Sequence, residues 1–279
     1  MNIYVINLDK ATERMAKTRV QLERMNLTFT RIPAVLGADL NLENSIINNL
    51  LFRITQMRDC TSGELGCAES HRLVWNKILK SNEPYSLILE DDVLLPENLH
   101  QVLSLIEASK NLDIINLSST GTYPITADKI DLLNSINLKK RPYIKNKNAW
   151  TNIESGRWKL FSLEQLGDLT LFECGILPPL TSAYVVTPKA CKALLQASKK
   201  IAFPIDYTFR HIGGTVRQGF VFPQYVKQDA LMETQINNRK IEALTKPSIL
   251  FSAIKFLLKS RGFRRKLSLI RLYGLKSIL

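Results

Sequence analysis

Three adjacent carboxylates, Glu90, Asp91 and Asp92, directly follow a short apolar run at residues 85–89. Such a run predicts a buried strand, and in open α/β sheets ligands bind beyond the carboxyl ends of strands. If the extended backbone continues, Glu90 and Asp92 point to one side and Asp91 to the other. Adjacent carboxylates repel one another, and Mg²⁺ or Mn²⁺ relieves that repulsion while bridging to phosphate. A solvated strand end or a helix-capping run is the alternative interpretation.

A second group of chemically capable residues lies at a predicted helix start. Thr61 and Glu64 have capping-box spacing, which predicts a helix from there to about residue 80. Glu64 and His71 are seven residues apart and therefore share a face of that helix. Gly63 allows a ligand or another backbone to come close, and the free N–H groups of a helix start attract an anion such as a diphosphate. The alternative is a capped helix whose His71 forms hydrogen bonds inside the core.

The elements that must position these groups indicate an α/β fold. The β-α-β order at the start of the chain favours a parallel sheet with helices packed on it. Residues 41–60 are expected to form a loop with a short helix, and the polar residues 121–168 irregular, partly mobile structure. The predicted strands cover residues 2–8, 29–35, 85–89, 113–117 and 181–187, and the other predicted helices residues 12–25 and 188–199.

Taken together, these segments resemble glycosyltransferase family 25, which includes bacterial lipooligosaccharide galactosyltransferases and the related domain of collagen galactosyltransferases. The resemblance implies a GT-A-like nucleotide-binding domain with a mixed, mostly parallel sheet flanked by helices. Its acidic motif would hold Mn²⁺, or Mg²⁺, against the diphosphate of a UDP-sugar donor. The matching segments are residues 6–9 with Arg14, 63–67 with 70–71, 89–92, 181–184, 204–206 and, more weakly, 223–228.

The resemblance also implies roles for individual residues. The metal positions would be Glu90 and Asp92, with Asp92 preferred as the direct ligand. The residues expected along the nucleotide and the cleft are Asn7, Leu8, Arg14, Gly63, Glu64, His71 and Asp91.

The family is associated with inversion at the anomeric carbon, which requires a base on the face opposite the departing diphosphate. The candidate base is Asp206, with Glu64 and Asp229 as rivals, and the alternative role for Asp206 is to cap a turn. Thr181 and Tyr184 are candidate acceptor contacts, although a tyrosine in a strand can equally belong to the core.

The net charge of +13 is concentrated near the end of the chain, where nine Lys and Arg residues and no acidic residue follow Glu242. Apolar clusters alternate with cations over residues 248–279, as in interfacial helices that bind anionic lipid. We therefore expect a catalytic domain at 1–245 and basic amphipathic helices for membrane association at 246–279. The alternatives are packing on the domain or disorder. Nucleic-acid binding is not expected, because no recognised nucleic-acid module accompanies the cations.

The composition is that of a globular protein, with 45% hydrophobic and 23% charged residues. No apolar stretch of about 20 residues predicts a spanning helix, and no signal peptide is expected. The four cysteines have neither CxxC spacing nor zinc-like spacing with the three histidines. Reduced, mostly buried thiols are expected, in a cytoplasmic protein bound peripherally to the inner face of the cytoplasmic membrane.

The predicted function is the metal-dependent, inverting transfer of a hexose to a saccharide of lipooligosaccharide or lipopolysaccharide. UDP-galactose is the first candidate donor and UDP-glucose the second. A metal-dependent sugar-nucleotide hydrolase is the rival enzyme, although such enzymes usually have a fuller metal cage, and no second acidic cluster follows a predicted strand. A non-catalytic basic membrane-binding module is the rival from another class.

Overall fold

The computed structural model describes residues 1–230 except 42–44, 57, 110, 122, 124, 128–129, 131–159 and 213, together with 267 and 270–272. These residues form a central sheet with helices on both faces. The strands are β1 (Asn2–Asn7), β2 (Thr30–Pro33), β3 (Ser86–Glu90), β4 (Val93–Leu94), β5 (Ile114–Asn116), β6 (Leu160–Leu166), β7 (Leu169–Cys174), β8 (Ala183–Val186), β9 (Gln218–Phe222) and β10 (Lys227–Gln228). The helices are α1 (Thr12–Arg24), α2 (Asn49–Gln56), α3 (Ser62–Ile78), α4 (Leu99–Ser109) and α5 (Pro188–Ala197).

The described strands of the central sheet have the order β2-β1-β3-β8-β5-β9-β7-β6. The sheet is mixed. Strand β1 pairs in parallel with β2 and β3, β5 pairs in parallel with β9, and β8 lies antiparallel between β3 and β5. Strands β1, β3 and β5 therefore point the same way, and their last residues, Asn7, Glu90 and Asn116, meet at one edge of the sheet. Strands β4 and β10 form a separate antiparallel ribbon.

Both faces of the sheet are buried, which explains why its central strands are continuous apolar runs. Alternate residues of β1 enter different cores, because successive side chains of a strand point to opposite faces. Tyr4 and Ile6 belong to the core that contains buried residues of α3 and α5, whereas Ile3 and Val5 belong to the core that contains buried residues of α1 and α4.

The strands and helices predicted up to residue 199 are present, with ends shifted by at most two residues. The predicted capping box is confirmed: the Thr61 side chain accepts a hydrogen bond from the Glu64 N–H, and the Glu64 side chain accepts one from the Thr61 N–H. The loop with a short helix expected at 41–60 contains α2. None of the helices among the described residues is both long and apolar enough to cross a bilayer.

One prediction was wrong in part. Residues 121–168 were expected to be irregular, yet 160–166 form β6, which pairs with β7 at the edge of the sheet, and residues 131–159 of that segment lie outside the described residues. The middle of β6 is mostly polar and only partly buried, so the strand lacks a strong apolar pattern. Most of the predicted C-terminal segment lies outside the described residues. Leu267 and residues 270–272 are helical, and the proposed domain boundary stays a prediction.

Candidate active site

A cleft opens at the sheet edge where β1, β3 and β5 end, and it has two lobes. The β1 lobe, about 330 Å³, is lined by the residues after β1, by the acidic turn after β3 and by the start of α3. The β8 lobe, about 510 Å³, is lined by the residues before β8, by Arg58 and Glu64, and by the start of the 3₁₀ turn Ile205–His211. Cys67, Glu90 and Gln228 line both lobes. The two lobes therefore meet at Glu90.

The β1 lobe is organised around Asn7. Its side-chain amide donates to Asp91 Oδ2 at 2.6 Å and to the Ala11 carbonyl at 3.0 Å. Arg31 in turn donates to Asn7 Oδ1 at 2.8 Å. Thr18 donates to the Asp91 carbonyl at 3.0 Å, so the acidic turn is tied to both β1 and α1.

Arg14 is the cation that faces the acidic turn from α1. One of its terminal nitrogens contacts Asp91 Oδ1, and the same nitrogen lies 2.9 Å from Asp92 Oδ2. This contact partly offsets the cost of burying two adjacent carboxylates. Burial is the larger effect, however, and it raises the pKa of Asp91 and of Asp92, the latter to about 6.

Asp92 retains one oxygen for a ligand. Its Oδ2 contacts Arg14, whereas its Oδ1 is buried and has no hydrogen-bond partner among the described residues. An unpaired buried carboxylate oxygen is costly and needs a counter-charge or a donor. The turn conformation of Asp91 and Asp92 also turns both of these carboxylates towards Arg14, whereas continued strand geometry predicted that they point to opposite sides.

Glu90 is held by a chain of hydrogen bonds that begins in the core. Trp75 Nε1 lies 2.7 Å from Tyr184 Oη, which lies 3.0 Å from His71 Nδ1, and His71 Nε2 lies 3.3 Å from Glu90 Oε1. An indole N–H can only donate, so Tyr184 accepts from Trp75 and can donate its own proton to Nδ1. In the tautomer that accepts this proton, Nε2 of His71 carries the ring proton and donates to Glu90.

The pKa of Glu90 reflects this support. Burial alone would raise it, but the hydrogen bond and charge interaction with His71, the hydrogen bond from Thr181 and the charge of Arg14 together outweigh burial, and the pKa is lowered. Thr181 donates to the same oxygen, Oε1, at 2.7 Å. Among the described residues Oε2 accepts no hydrogen bond, so Glu90 keeps one oxygen for a ligand while the other fixes its orientation.

Cys67 joins His71 and Glu90 in a cluster whose ligand atoms lie within 4.8 Å of one another. The three residue types are all zinc ligands. In this tautomer, however, His71 Nε2 carries a proton, and binding through it would leave the Tyr184 proton without its acceptor. Burial, and after it the negative charge of nearby carboxylates, raises the pKa of the Cys67 thiol well above its usual 9.0 in the metal-free site. The cluster therefore fits a support for Glu90 better than a zinc site.

Asp206 is the acidic residue of the β8 lobe that lacks a described ion pair. Its Oδ1 is buried and has no hydrogen-bond partner among the described residues. Burial raises the pKa of Asp206, although the backbone N–H groups of Leu180 and Tyr207 act in the opposite direction. A carboxylate with a free oxygen and a raised pKa suits proton transfer.

Glu64 also lines the β8 lobe, but its carboxylate is committed. Arg58 donates to both of its oxygens, at 2.7 and 2.5 Å, and the Thr61 N–H donates to Oε2 at 3.0 Å. The side chain is only 3% exposed. Asp229, the other rival base, lines neither lobe; its N–H donates to the Asp92 carbonyl at 2.7 Å.

Two glycines place α3 against the loop after β2. A Cβ on Gly66 would lie 2.6 Å from the Val35 carbonyl oxygen, and a Cβ on Gly37 would lie 1.7 Å from the Ser62 carbonyl oxygen. Direct backbone contact therefore requires glycine at both positions. This contact brings the N-terminus of α3, with Gly63, to the wall of the β1 lobe.

Most of the residues singled out in the sequence come together in this cleft. Tyr184 is fully buried and belongs to the core, whereas Thr181 lines the β8 lobe. The sequence did not point to Arg58, Asn116 or Leu180. The spacing of Cys67 and His71, which puts both on one helix face, could have indicated that these two residues lie close together. The predicted residues that line the β1 lobe are Asn7, Leu8, Arg14, Gly63, His71, Glu90, Asp91 and Asp92, and those that line the β8 lobe are Glu64, Glu90, Thr181 and Asp206. The four cysteines are free, as expected.

A mixed sheet with a polar cleft at the carboxyl ends of its parallel strands defines the class of open-sheet α/β ligand-binding proteins. More specifically, the chain belongs to glycosyltransferase family 25. The family model described as "Glycosyltransferase family 25 (LPS biosynthesis protein)" matches residues 1–209. The family predicted from the sequence segments is confirmed.

Several named proteins are similar to this chain. Lipooligosaccharide biosynthesis protein lic2B of Haemophilus influenzae is 26% identical over 250 residues, covering 83% of this chain and 82% of the relative. Lipooligosaccharide biosynthesis protein lex-1 of the same species is 29% identical over 181 residues, covering 52% of this chain and 60% of the relative. Procollagen galactosyltransferase 1-B of Xenopus laevis is 28% identical over 134 residues, covering 41% of this chain and 20% of the relative. The chain thus spans only part of the length of the last two relatives.

Proposed function

We propose that this glycosyltransferase moves a hexose from a UDP-sugar, with inversion, onto a saccharide of lipooligosaccharide or lipopolysaccharide. UDP-galactose is our first choice of donor and UDP-glucose our second. The similarity to the lipooligosaccharide biosynthesis proteins lic2B and lex-1 supports the acceptor class, and the similarity to a procollagen galactosyltransferase supports the hexose. The single observation that carries the mechanism is the two-lobed cleft with Glu90 between the lobes.

We assign the donor nucleotide to the β1 lobe. Lys10 and Arg14 line it, and so do Ser62 and Gly63 from the N-terminal turn of α3. The first N–H groups of a helix have no carbonyl partner within that helix and attract phosphate. Together these groups form a site for a diphosphate in a GT-A-like arrangement.

The same lobe fits a divalent cation. Asp92 Oδ1 is buried and unpaired, Glu90 Oε2 accepts no described hydrogen bond, and oxygen ligands suit Mn²⁺ and Mg²⁺. Glu90 and Asp92 would hold the cation, with Asp92 as the direct ligand. When bound, the cation supplies positive charge that stabilises the diphosphate leaving group.

We assign the acceptor to the β8 lobe and the general base to Asp206. Its free Oδ1 would take the proton of the acceptor hydroxyl group as the acceptor oxygen forms its bond to the anomeric carbon. The bond from that carbon to the diphosphate oxygen breaks at the same time, and its electron pair leaves with UDP. Glu64 is a weaker candidate because both of its oxygens bind Arg58.

We also propose that the basic C-terminal segment keeps the enzyme at an anionic membrane surface, close to a lipid-linked acceptor. The support is the sequence pattern of residues 248–279. Binding to vesicles that contain anionic lipid, compared with neutral vesicles, tests this part separately from catalysis.

A donor screen tests the central proposal. Thermal melting is measured with UDP-, GDP- and CMP-sugars, each with and without Mn²⁺. We expect UDP-sugars to raise the melting temperature in a manner that depends on Mn²⁺, and transfer to a soluble saccharide to give a β-linked product by NMR. Release of free hexose without transfer would favour the hydrolase, and stabilisation by a GDP- or CMP-sugar instead would overturn the donor assignment.

A further inference from the structure

Leu180, at the wall of the β8 lobe, has a backbone conformation that leucine rarely adopts. Its φ is +80°, in the left-handed region that favours glycine. The residue directly precedes Thr181, which donates a hydrogen bond to Glu90. Strained residues of this kind persist only where the surrounding structure enforces them, and they cluster at functional sites.

Asn116, at the carboxyl end of β5, enforces this conformation. Its Nδ2 lies within hydrogen-bond distance of three successive carbonyl oxygens, those of Pro178, Pro179 and Leu180, at 3.0, 3.1 and 3.0 Å, which share its two N–H groups. Its Oδ1 accepts from the N–H of Ser118 at 2.8 Å. Asn116 is fully buried, so one side chain fixes the whole turn that leads into β8.

The strain is not explained by burial of the Leu180 side chain, because 38% of the residue remains exposed. Leu180 lines the β8 lobe, as does Asp206. Glycine would adopt the same backbone conformation without strain. Any advantage of leucine over glycine at this position therefore comes from its side chain.

We propose that the Leu180 side chain is an acceptor-specificity determinant: it is the apolar wall on which the C–H face of a neutral acceptor sugar packs, and Asn116 positions it. Binding clefts combine apolar walls with a few polar groups that fix the orientation of the ligand. The inference rests on the proposed function, because it takes the β8 lobe as the acceptor site.

The test compares Leu180→Ala and Leu180→Gly with Leu73→Ala. Leu73 is 49% exposed and lines neither lobe. Both Leu180 variants should raise the acceptor KM about tenfold, which corresponds to about 1.4 kcal/mol, while the donor KM is unchanged. Leu180→Gly should also melt about 2–4 °C above Leu180→Ala, because only alanine keeps a Cβ at positive φ. Leu73→Ala should keep both KM values of the wild type.

Saccharide binding is also measured without turnover, by titrating lactose, maltose and cellobiose into the protein with UDP and Mn²⁺. Weaker binding to the Leu180 variants supports the inference even if the wild type transfers no sugar, an outcome that would refute the proposed function instead. Wild-type affinity in Leu180→Ala overturns the inference. So does failure of the wild-type protein to bind any of the three saccharides.

Discussion

Replacing Asp92 with asparagine is expected to move stability and activity in opposite directions. Burial raises the pKa of Asp92 from 3.8 to about 6, and the Glu90 carboxylate adds to this effect. The Asp92 side chain is only 19% exposed, so water screens it weakly. Because each pKa unit corresponds to about 1.4 kcal/mol, ionised Asp92 costs the folded state about 3 kcal/mol. Asparagine has nearly the same shape without the charge and removes that cost.

The pH dependence follows from the direction of the shift. The pKa of Asp92 is higher in the folded state than in the unfolded state, so the cost is absent below about pH 4, where both states are protonated, and complete above about pH 6. We expect the free energy of unfolding of Asp92→Asn, measured in urea, to exceed that of the wild type by up to about 3 kcal/mol near pH 8. Near pH 3.5 the two proteins should be about equally stable.

Activity should change in the other direction. Transfer from the UDP-sugar should fall at least about 100-fold, and the Mn²⁺-dependent rise in melting temperature should disappear. Glu23→Gln is the matched control, because it removes a carboxylate that is 59% exposed and pairs with Arg19 away from the cleft. An Asp92→Asn protein that is less stable than the wild type at pH 8, or that keeps full Mn²⁺-dependent transfer, would refute the reasoning.

Three further changes test other parts of the cleft and the tail. Asp206→Asn should lower kcat by about 10²–10⁴-fold and leave the Mn²⁺-dependent thermal shift with UDP intact; a small effect on kcat would exclude Asp206 as the base. Tyr184→Phe should lower the free energy of unfolding by about 1–3 kcal/mol, measured in urea, because it leaves the buried Trp75 N–H without an acceptor. It should also weaken Mn²⁺ binding, and unchanged binding would show that the chain does not orient Glu90. Deleting residues 248–279 should abolish vesicle binding and spare transfer to a soluble saccharide, and loss of both would indicate that the segment packs on the domain.

The part of the fold that carries the cleft was predictable, because its signals are local. The apolar run before Glu90, the capping box at Thr61 and the β-α-β start each depend on neighbouring residues. The other side of the sheet was not predicted. Strand β6 is polar in its middle, and β9 pairs with β5 across about 100 residues of chain, a contact that no local pattern encodes.

The residues of the candidate site also divide into those that the sequence predicted and those that it did not. The acidic turn, Arg14 and His71 were found from spacing and from the family resemblance. Asn116 and Leu180 were missed because their roles depend on backbone carbonyls 62 to 64 residues away in the chain. Hydrogen bonds between residues so far apart in the chain leave no pattern in the sequence around either partner. Likewise, spacing alone could not show that Arg58 occupies both oxygens of Glu64.

The Trp75–Tyr184–His71 chain of hydrogen bonds connects the buried core of this protein to Glu90 in its cleft. An engineer who repacked the interface between α3 and β8 to gain stability would normally treat Trp75 and Tyr184 as interchangeable apolar volume. Here an indole N–H and a phenol proton set the hydrogen-bonding role of each nitrogen of His71, whose Nε2 faces Glu90. Purely hydrophobic replacements at those two positions can preserve the packing and still produce a folded protein whose central carboxylate has lost its orientation.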